Sequence, residues 1–425
     1  MITFSIDTLP LSKNIIDSND YSSKIIYSAT SDTLFKYSLK KNKIIKNSCS
    51  YYKYSNNNKI LTIKIRDDLY FYNGDKVTAN DYYHTFRHIL NSKTHIGIIF
   101  RHFFTDIKIL DDCTFQLVNK TKNDKSYEIL SIYSACCLKN NYTSGAYYIE
   151  KTVKNFIILK RNEFYREKIH NKDAEVIKFI LTDGLNDYKL FNNKIIQITN
   201  NTMCDINNID KYNYIRENNY IYLNIIFSNE MMRNRYKKIR KIISDIIDKD
   251  KIANMLDNKY DINESFIVNN SITNIKRKKI NINIDTTKSI KPLTLGYNNF
   301  YPNKIIAEEI KKQLEAVGFK IDLVENKFNI KNTCDLNITL NHLEYITESS
   351  IINGSYFFVI LEKNSIYKTI LKMYNVTHKK YLLDLINKKL LKLKYKIPLL
   401  KMNGYYLKSD KYNKFNYIEL NFNEM

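Results

Sequence analysis

Hydrophobic periodicity along these 425 residues switches repeatedly between two and 3.6, and this alternation restricts the chain to a mixed α/β architecture. Leu61, Ile63 and Ile65 alternate with polar residues as a half-buried strand does, and Asp67 to Gly74 supply a turn. Thr78 then stands as a helix N-cap, with Asp81 three positions on as the carboxylate of a capping box. Ala79, Tyr82, Tyr83, Phe86, Ile89 and Leu90 form the apolar stripe of the helix that follows. Hairpins are expected where Ile107–Leu110 turns at Asp111-Asp112 into Thr114–Val118, and where Tyr147–Ile149 meets Phe156–Leu159. Farther on, Ile239, Ile242, Ile243, Ile246 and Ile247 make a helical stripe that runs toward Ile252 and Leu256. A strand-helix-strand unit comes next. Leu293–Tyr297 is its first strand, Ile305, Ile306, Ile310, Leu314 and Val317 line the helix, and Phe319, Ile321 and Leu323 alternate as the return. Gly318 sits where a left-handed cap is wanted. The stretch 262–291, rich in Asn, Lys and Thr, reads as a surface excursion, and Tyr381–Leu393 as an amphipathic helix before Pro398.

A chain of this length exceeds what one core usually organises, and 44% apolar residues suffice to build two bodies. No repeat of 20 to 50 residues stands out, which argues against a solenoid or propeller. No apolar run reaches the length of a membrane span, about 18 residues. Met1 to Pro10 lack a basic n-region and a long apolar h-region, so no secretory signal is expected in them. Lys+Arg 67 against Asp+Glu 44 gives a formal charge of +23, which could draw a polyanion. Yet lysine rises together with Asn, Ile and Tyr while Gly (8), Pro (4) and Trp (0) fall, as compositional drift would produce. The longest basic clusters, Lys276–Lys279 and Lys388–Lys394, are interrupted or read as a solvated helix face, so no nucleic-acid partner is expected. The six cysteines show no CxxC spacing, which indicates neither a zinc site nor a disulfide framework. His84 and His88, four apart on a predicted helix, could ligate a metal from one face, and His95 and His102 lie farther along. No third ligand is placed beside them, so neither a metal site nor a cofactor is expected. The chain has no Gly-rich phosphate loop, no Gly-x-Ser-x-Gly elbow and no Cys/His pair in a recognisable context, and it reads as a non-enzyme.

The run Leu61–Leu90, LTIKIRDDLYFYNGDKVTANDYYHTFRHIL, carries in order Arg66-Asp67, Phe71, Gly74 and Thr78-Ala79-Asn80-Asp81. This order resembles the signature of solute-binding family 5, the oligopeptide-, dipeptide- and nickel-binding proteins of ABC transporters. Further likenesses follow along the chain: Thr143-Ser144-Gly145-Ala146-Tyr147 to a Gly-x-Gly-Pro-Tyr crossover, and Arg161-Asn162 with Tyr165 to an Arg-Asn-x-x-Tyr strand end. Arg240 to Ile252 is similar to a helix ending in Ile-Asp-Arg, Gln313-Leu314 with Gly318 to a helix end, and Ile397-Pro398-Leu399 to a returning strand. Of only eight glycines, Gly74, Gly145 and Gly318 stand at turn or cap positions where a positive φ or a close backbone approach is needed.

The resemblance implies a type II periplasmic-binding-protein fold: two α/β lobes joined by a hinge, with an extra subdomain in the first. Residues 1–229 plus 397–425 would form lobe I, with an inserted subdomain from about 40 to 137, and 230–396 would form lobe II. The implied function is capture of a peptide-like ligand between the lobes for delivery to an ABC transporter permease, by a monomer located outside the cytoplasm. The alternatives are a cytoplasmic ligand sensor on the same fold, or a diverged member that takes a nickel complex or another small solute. Cys334-Asp335-Leu336 resembles the strand that leads to the family's acidic anchor for the peptide amine, and Glu344-Tyr345 falls where that anchor would. Glu344 is therefore the expected ammonium ligand. Tyr345 and Tyr356 are candidates for pocket wall, and Gly145 and Tyr147 are added from the crossover motif. Asn341 stands in place of an aromatic residue, Ile346 and Glu348 in place of prolines, and Ala146 in place of the crossover proline, so the pocket departs from the family more than the scaffold does.

Overall fold

The computed structural model describes residues 1–168, 172–182, 184, 186–202, 213–256, 260–265, 291–298, 302–326, 333–342, 369–370, 373–374 and 376–422. The chain opens on strand β1 (Ile2–Ile6), whose five side chains are all buried. β1 joins a sheet with β8 (Tyr147–Val153), β9 (Phe156–Arg161) and β10 (Val176–Leu181) in the order β1-β10-β9-β8. It lies parallel to β10 with Phe4 opposite Phe179, and the remaining pairs are antiparallel. Helix α1 (Tyr21–Thr30) packs beside β8.

Between β1 and β8 the chain builds a second unit. β2 (Phe35–Ser38) and β3 (Lys43–Lys46) form a ribbon. β4 (Cys49–Ser55), β5 (Ile60–Ile65), β6 (Phe104–Asp111) and β7 (Thr114–Asn119) make an antiparallel sheet in the order β4-β5-β7-β6. Helices α2 (Ala79–Asn91) and α3 (His95–Phe103) cover it. The capping box forms as the sequence implies, with the Thr78 backbone N–H donating to the Asp81 carboxylate at 2.8 Å. The α2 stripe also packs as expected: the Tyr82 ring stacks on Phe115 at 5.3 Å and Phe86 meets Phe100 edge-on at 5.1 Å.

After α4 (Asp187–Asn192) a six-stranded sheet follows, with strand order β12-β16-β11-β15-β13-β14 among the described residues. Its centre is two long antiparallel strands, β11 (Ile215–Phe227) and β16 (Lys396–Tyr406), whose register shifts between Asn218 and Ile221 and between Leu223 and Asn224. β15 (Leu336–His342) pairs with β11, and β12 (Tyr260–Ile262) lies outside β16. β13 (Leu293–Asn298), α7 (Asn303–Glu315) and β14 (Ile321–Asn326) are the strand-helix-strand unit expected from the sequence, its two strands parallel. Gly318 takes φ +95 and Gly74 φ +87.

The isoleucine stripe from Ile239 to Leu256 is not one helix. It divides into α5 (Lys237–Ile246) and α6 (Lys249–Met255), because Asp248 takes an extended backbone and accepts the Lys251 N–H at 3.0 Å, capping a new helix start. Helix α8 (Lys380–Leu393) ends without glycine, with Lys394 itself in the left-handed region at φ +52. No described helix is long and apolar enough to cross a membrane.

Buried side chains fall into two clusters. One runs from the first sheet, through Phe4, Phe179, Phe415 and Phe422, to the six-stranded sheet at Leu223, Leu295 and Leu336. The other fills the inserted unit and takes in Leu382, Leu383, Ile386 and Leu390 of α8. A buried ion pair sits beside the inserted unit. Arg166, after β9, grips Asp32 through two guanidinium nitrogens at 2.5 and 3.1 Å, and Asn47 bonds to both partners.

Candidate functional site

Three segments far apart in sequence come within electrostatic reach of one another at His342, two of them in ring contact. The first is the opening turn of α1. Asp20 caps that helix by accepting the Ser23 N–H at 2.9 Å, and the helical spacing then sets Tyr21 and Lys24 one turn apart on one side. The second is the first turn of α3, where Thr94 accepts the Gly97 N–H at 3.2 Å and fixes His95 at the helix start. A side chain at position 97 would collide with the Ile89 carbonyl 2.7 Å from its Cβ, so only glycine lets α2 and α3 meet this closely. The third is the end of β15, where His342 lies opposite Ile221 of β11.

The Tyr21 ring meets the His342 ring edge-on, centroids 5.8 Å apart, and the Lys24 ammonium lies 5.8 Å from the Tyr21 centroid. His342 is half-buried. Loss of hydration, followed by the nearby charges of Lys24 and His95, holds its pKa down to about 3, so the imidazole is neutral across the physiological range. His95 keeps contact with solvent yet is surrounded by protein mass, and the lost hydration lowers its pKa as well.

Polar groups order the floor beneath. The Tyr21 hydroxyl and Asn201 exchange hydrogen bonds at 2.9 and 3.1 Å. Glu217, on β11, accepts the Tyr417 N–H at 3.1 Å. Burial pushes its pKa up to about 7, against the pull of the Tyr417 and Ile418 N–H groups and of Lys408 and Lys24. Lys24 also lines a polar cavity of about 250 Å³ together with Asp32, Lys36, Tyr165, Glu167 and Glu419. The arrangement offers neutral imidazoles, amide groups, aromatic faces and a cation, which suits recognition of a polar ligand.

Glu344, Tyr345 and Tyr356 lie outside the described residues. The strand that leads to the first two ends at His342, at the convergence itself. Gly145 and Tyr147 are placed elsewhere. A Cβ at Gly145 would fall 2.2 Å from the Thr30 carbonyl carbon, so the glycine permits close backbone packing. Tyr147 is buried, with its hydroxyl donating to the Ala174 carbonyl at 2.8 Å. Packing accounts for both residues. His84 and His88 are exposed on α2, and no group of three or more metal-ligating side chains comes together among the described residues. The sequence reading did not single out Tyr21, Lys24, Asn201 or His342, and it weighed His95 only as a metal ligand. Tyr21, Lys24, His95 and His342 have one sequence signal, their position in a helix's first turn or at a strand end, and Asn201 has none.

Residues 43–347 match the family described as bacterial extracellular solute-binding proteins, family 5. No curated protein sequence matches the chain. Among solved structures, the oligopeptide-binding protein AppA of Bacillus subtilis, in complex with a nonapeptide, superposes with a TM-score of 0.81 at 15% identity, covering 100% of this chain and 98% of that one. Haemophilus influenzae OppA, in complex with the peptide RPPGFSPFR, gives 0.83 at 12% identity, covering 99% and 97%. Campylobacter jejuni NikZ, in complex with Ni(L-His), gives 0.75 at 14% identity, covering 95% and 93%. The fold is thus the α/β fold of type II periplasmic binding proteins, and the chain belongs to family 5 of the bacterial extracellular solute-binding proteins.

Proposed function

We propose that the chain is a binding protein, not a catalyst, that captures a peptide-like ligand between two lobes and hands it to an ABC transporter permease. The carrying observation is the convergence at His342 of a helix start from the first sheet's body, a helix start from the inserted unit and a strand end from the six-stranded sheet. A ligand there touches all three bodies at once, and such a ligand favours their closed arrangement by its differential affinity.

In this reading lobe I comprises residues 1–229 and 397–425, with the insertion from about 40 to 137, and lobe II comprises 230–396. Both proposed crossings fall at one end of the central pair, just past the end of β11 and at the start of β16. Their two register shifts are places where the ladder can bend. An extended peptide suits the site because its backbone can bond to a strand edge such as β15, while Glu344 holds its amine and Tyr345 and Tyr356 form wall. A nickel complex, the ligand in the NikZ structure, is the competing solute.

The protein acts as a monomer outside the cytoplasm. The free cysteines are the feature that keeps the cytoplasmic alternative open, although burial raises the pKa of Cys49 and Cys136 to about 12 and pushes Cys137 and Cys334 upward, so these four thiols stay protonated and unreactive.

The test is a melting scan against a peptide library. A ligand at a hundred times its Kd adds about 2.7 kcal/mol to stability, a clear rise in Tm. The account predicts that tri- to nonapeptides raise Tm, and that Glu344→Gln or N-acetylation of the peptide weakens the rise. If no peptide stabilises the protein while a nickel chelate does, peptide is the wrong ligand class.

A further inference from the structure

A cavity of about 420 Å³ lies apart from the convergence at His342 and shares none of its residues. Its walls come from the first sheet's body, through Tyr27 of α1, Ile149 of β8 and Ile157 of β9, and from the inserted unit, through Tyr72. The loop 9–15 completes it. A break in strand register shapes the sheet side. Ile149 lies opposite Leu159 and Thr152 opposite Ile157, so one extra residue on β8 brings two side chains three positions apart onto one face. A regular strand would send them to opposite faces.

The remaining walls are held by contacts of their own. The Tyr27 hydroxyl donates to the Ser12 carbonyl at 2.6 Å and ties the loop to α1. Tyr72 stacks on Tyr148 with centroids 4.7 Å apart, meets Tyr142 edge-on at 5.0 Å, and donates its backbone N–H to the Thr143 carbonyl at 3.0 Å. A preformed, largely apolar hollow with a few polar groups is the form of a small-molecule site, and such sites measure about 300–1,000 Å³. Of the described residues that line this one, Lys13 alone is charged, and it stands exposed. An apolar tail would leave water in the hollow while a single anionic head met the ammonium outside it. A cationic head would find no carboxylate in the lining.

We propose that this cavity binds an apolar monocarboxylate, its tail among Tyr27, Tyr72 and Ile149 and its carboxylate at Lys13, independently of the ligand in the cleft. The bound molecule touches both the first sheet's body and the inserted unit, and so stabilises their packing.

The chain contains no tryptophan, so Tyr72→Trp sets a single fluorescent reporter in the cavity wall. The reporter is titrated at pH 7.5 with octanoate, 1-octanol and octylamine. Octanoate should shift the emission saturably to the blue and bind more tightly than octanol, and octylamine should bind least. Adding Lys13→Gln should weaken octanoate about fivefold, the scale of a solvent-exposed charge pair, and leave octanol unchanged. Octanoate should also raise the Tm of the wild type, and Thr152→Phe, which fills the hollow from an exposed position, should remove that rise; this keeps the test open should tryptophan at 72 disturb the wall. A wild-type Tm that octanoate leaves unchanged overturns the assignment. Octylamine bound as tightly as octanoate, or an octanoate affinity indifferent to Lys13→Gln, overturns it as well. So does competition between octanoate and a peptide found by the melting scan, because that would put the carboxylate in the cleft.

Discussion

The inserted unit and the cleft are built on opposite plans. In the inserted unit the decisive contacts are local. Thr78 is closed by Asp81 three residues on, and Asp111 turns the β6–β7 hairpin by accepting the Cys113 N–H at 2.8 Å. The cleft takes Tyr21, His95, Asn201 and His342 from four distant parts of the chain, and no two of them share an element. A unit held by neighbours in sequence can form before the rest of the molecule, whereas a site assembled from distant segments exists only after the bodies have docked. Binding energy can then be spent on how those bodies sit against one another.

The largest expected effect falls on the joint between the two plans. Asp32 follows α1, Arg166 follows β9, and both side chains are almost fully buried. Burial opposes the charge on Arg166, but Asp32 and Tyr165 outweigh it and raise the guanidinium pKa. Asp32→Asn leaves that guanidinium buried without its counter-charge and should cost about 3–5 kcal/mol in a urea titration. A cost below about 1 kcal/mol would place the pair in solvent and break the distinction. A smaller effect belongs to the inserted unit: Thr78→Ala removes one half of the capping box and should cost about 1 kcal/mol, with peptide affinity unchanged. Equal costs for the two substitutions would mean that the local unit and the long-range assembly are not energetically distinct.

The same contrast decides what the sequence made legible. Helix α2, the β6–β7 and β8–β9 hairpins and the β13–α7–β14 unit could be read because each carries its own period and its own cap or turn within about a dozen residues. The family likeness put a helix end at Ile247-Asp248-Lys249, close to the end of α5, but the second helix start was not anticipated, because the apolar residues run on to Ile252 and Leu256 while Asp248 caps α6. Gly145 was singled out correctly as a place of close backbone approach, but the approach is to Thr30 and serves packing. His342 was invisible for a plainer reason. A single histidine at a strand end has no pattern, and its chemistry comes from Lys24 and His95, which the chain brings beside it from distant segments.

The central claim is that these three segments together hold the ligand. Hydrogen exchange measured at pH 7.5, with and without a peptide found by the melting scan, tests it directly. The account predicts that peptide slows exchange simultaneously in the first turn of α1 around Tyr21–Lys24, in the first turn of α3 around His95–Gly97, and at the end of β15 around Asn341 and His342. Protection confined to one of these segments, or found only at a surface away from all three, would contradict it.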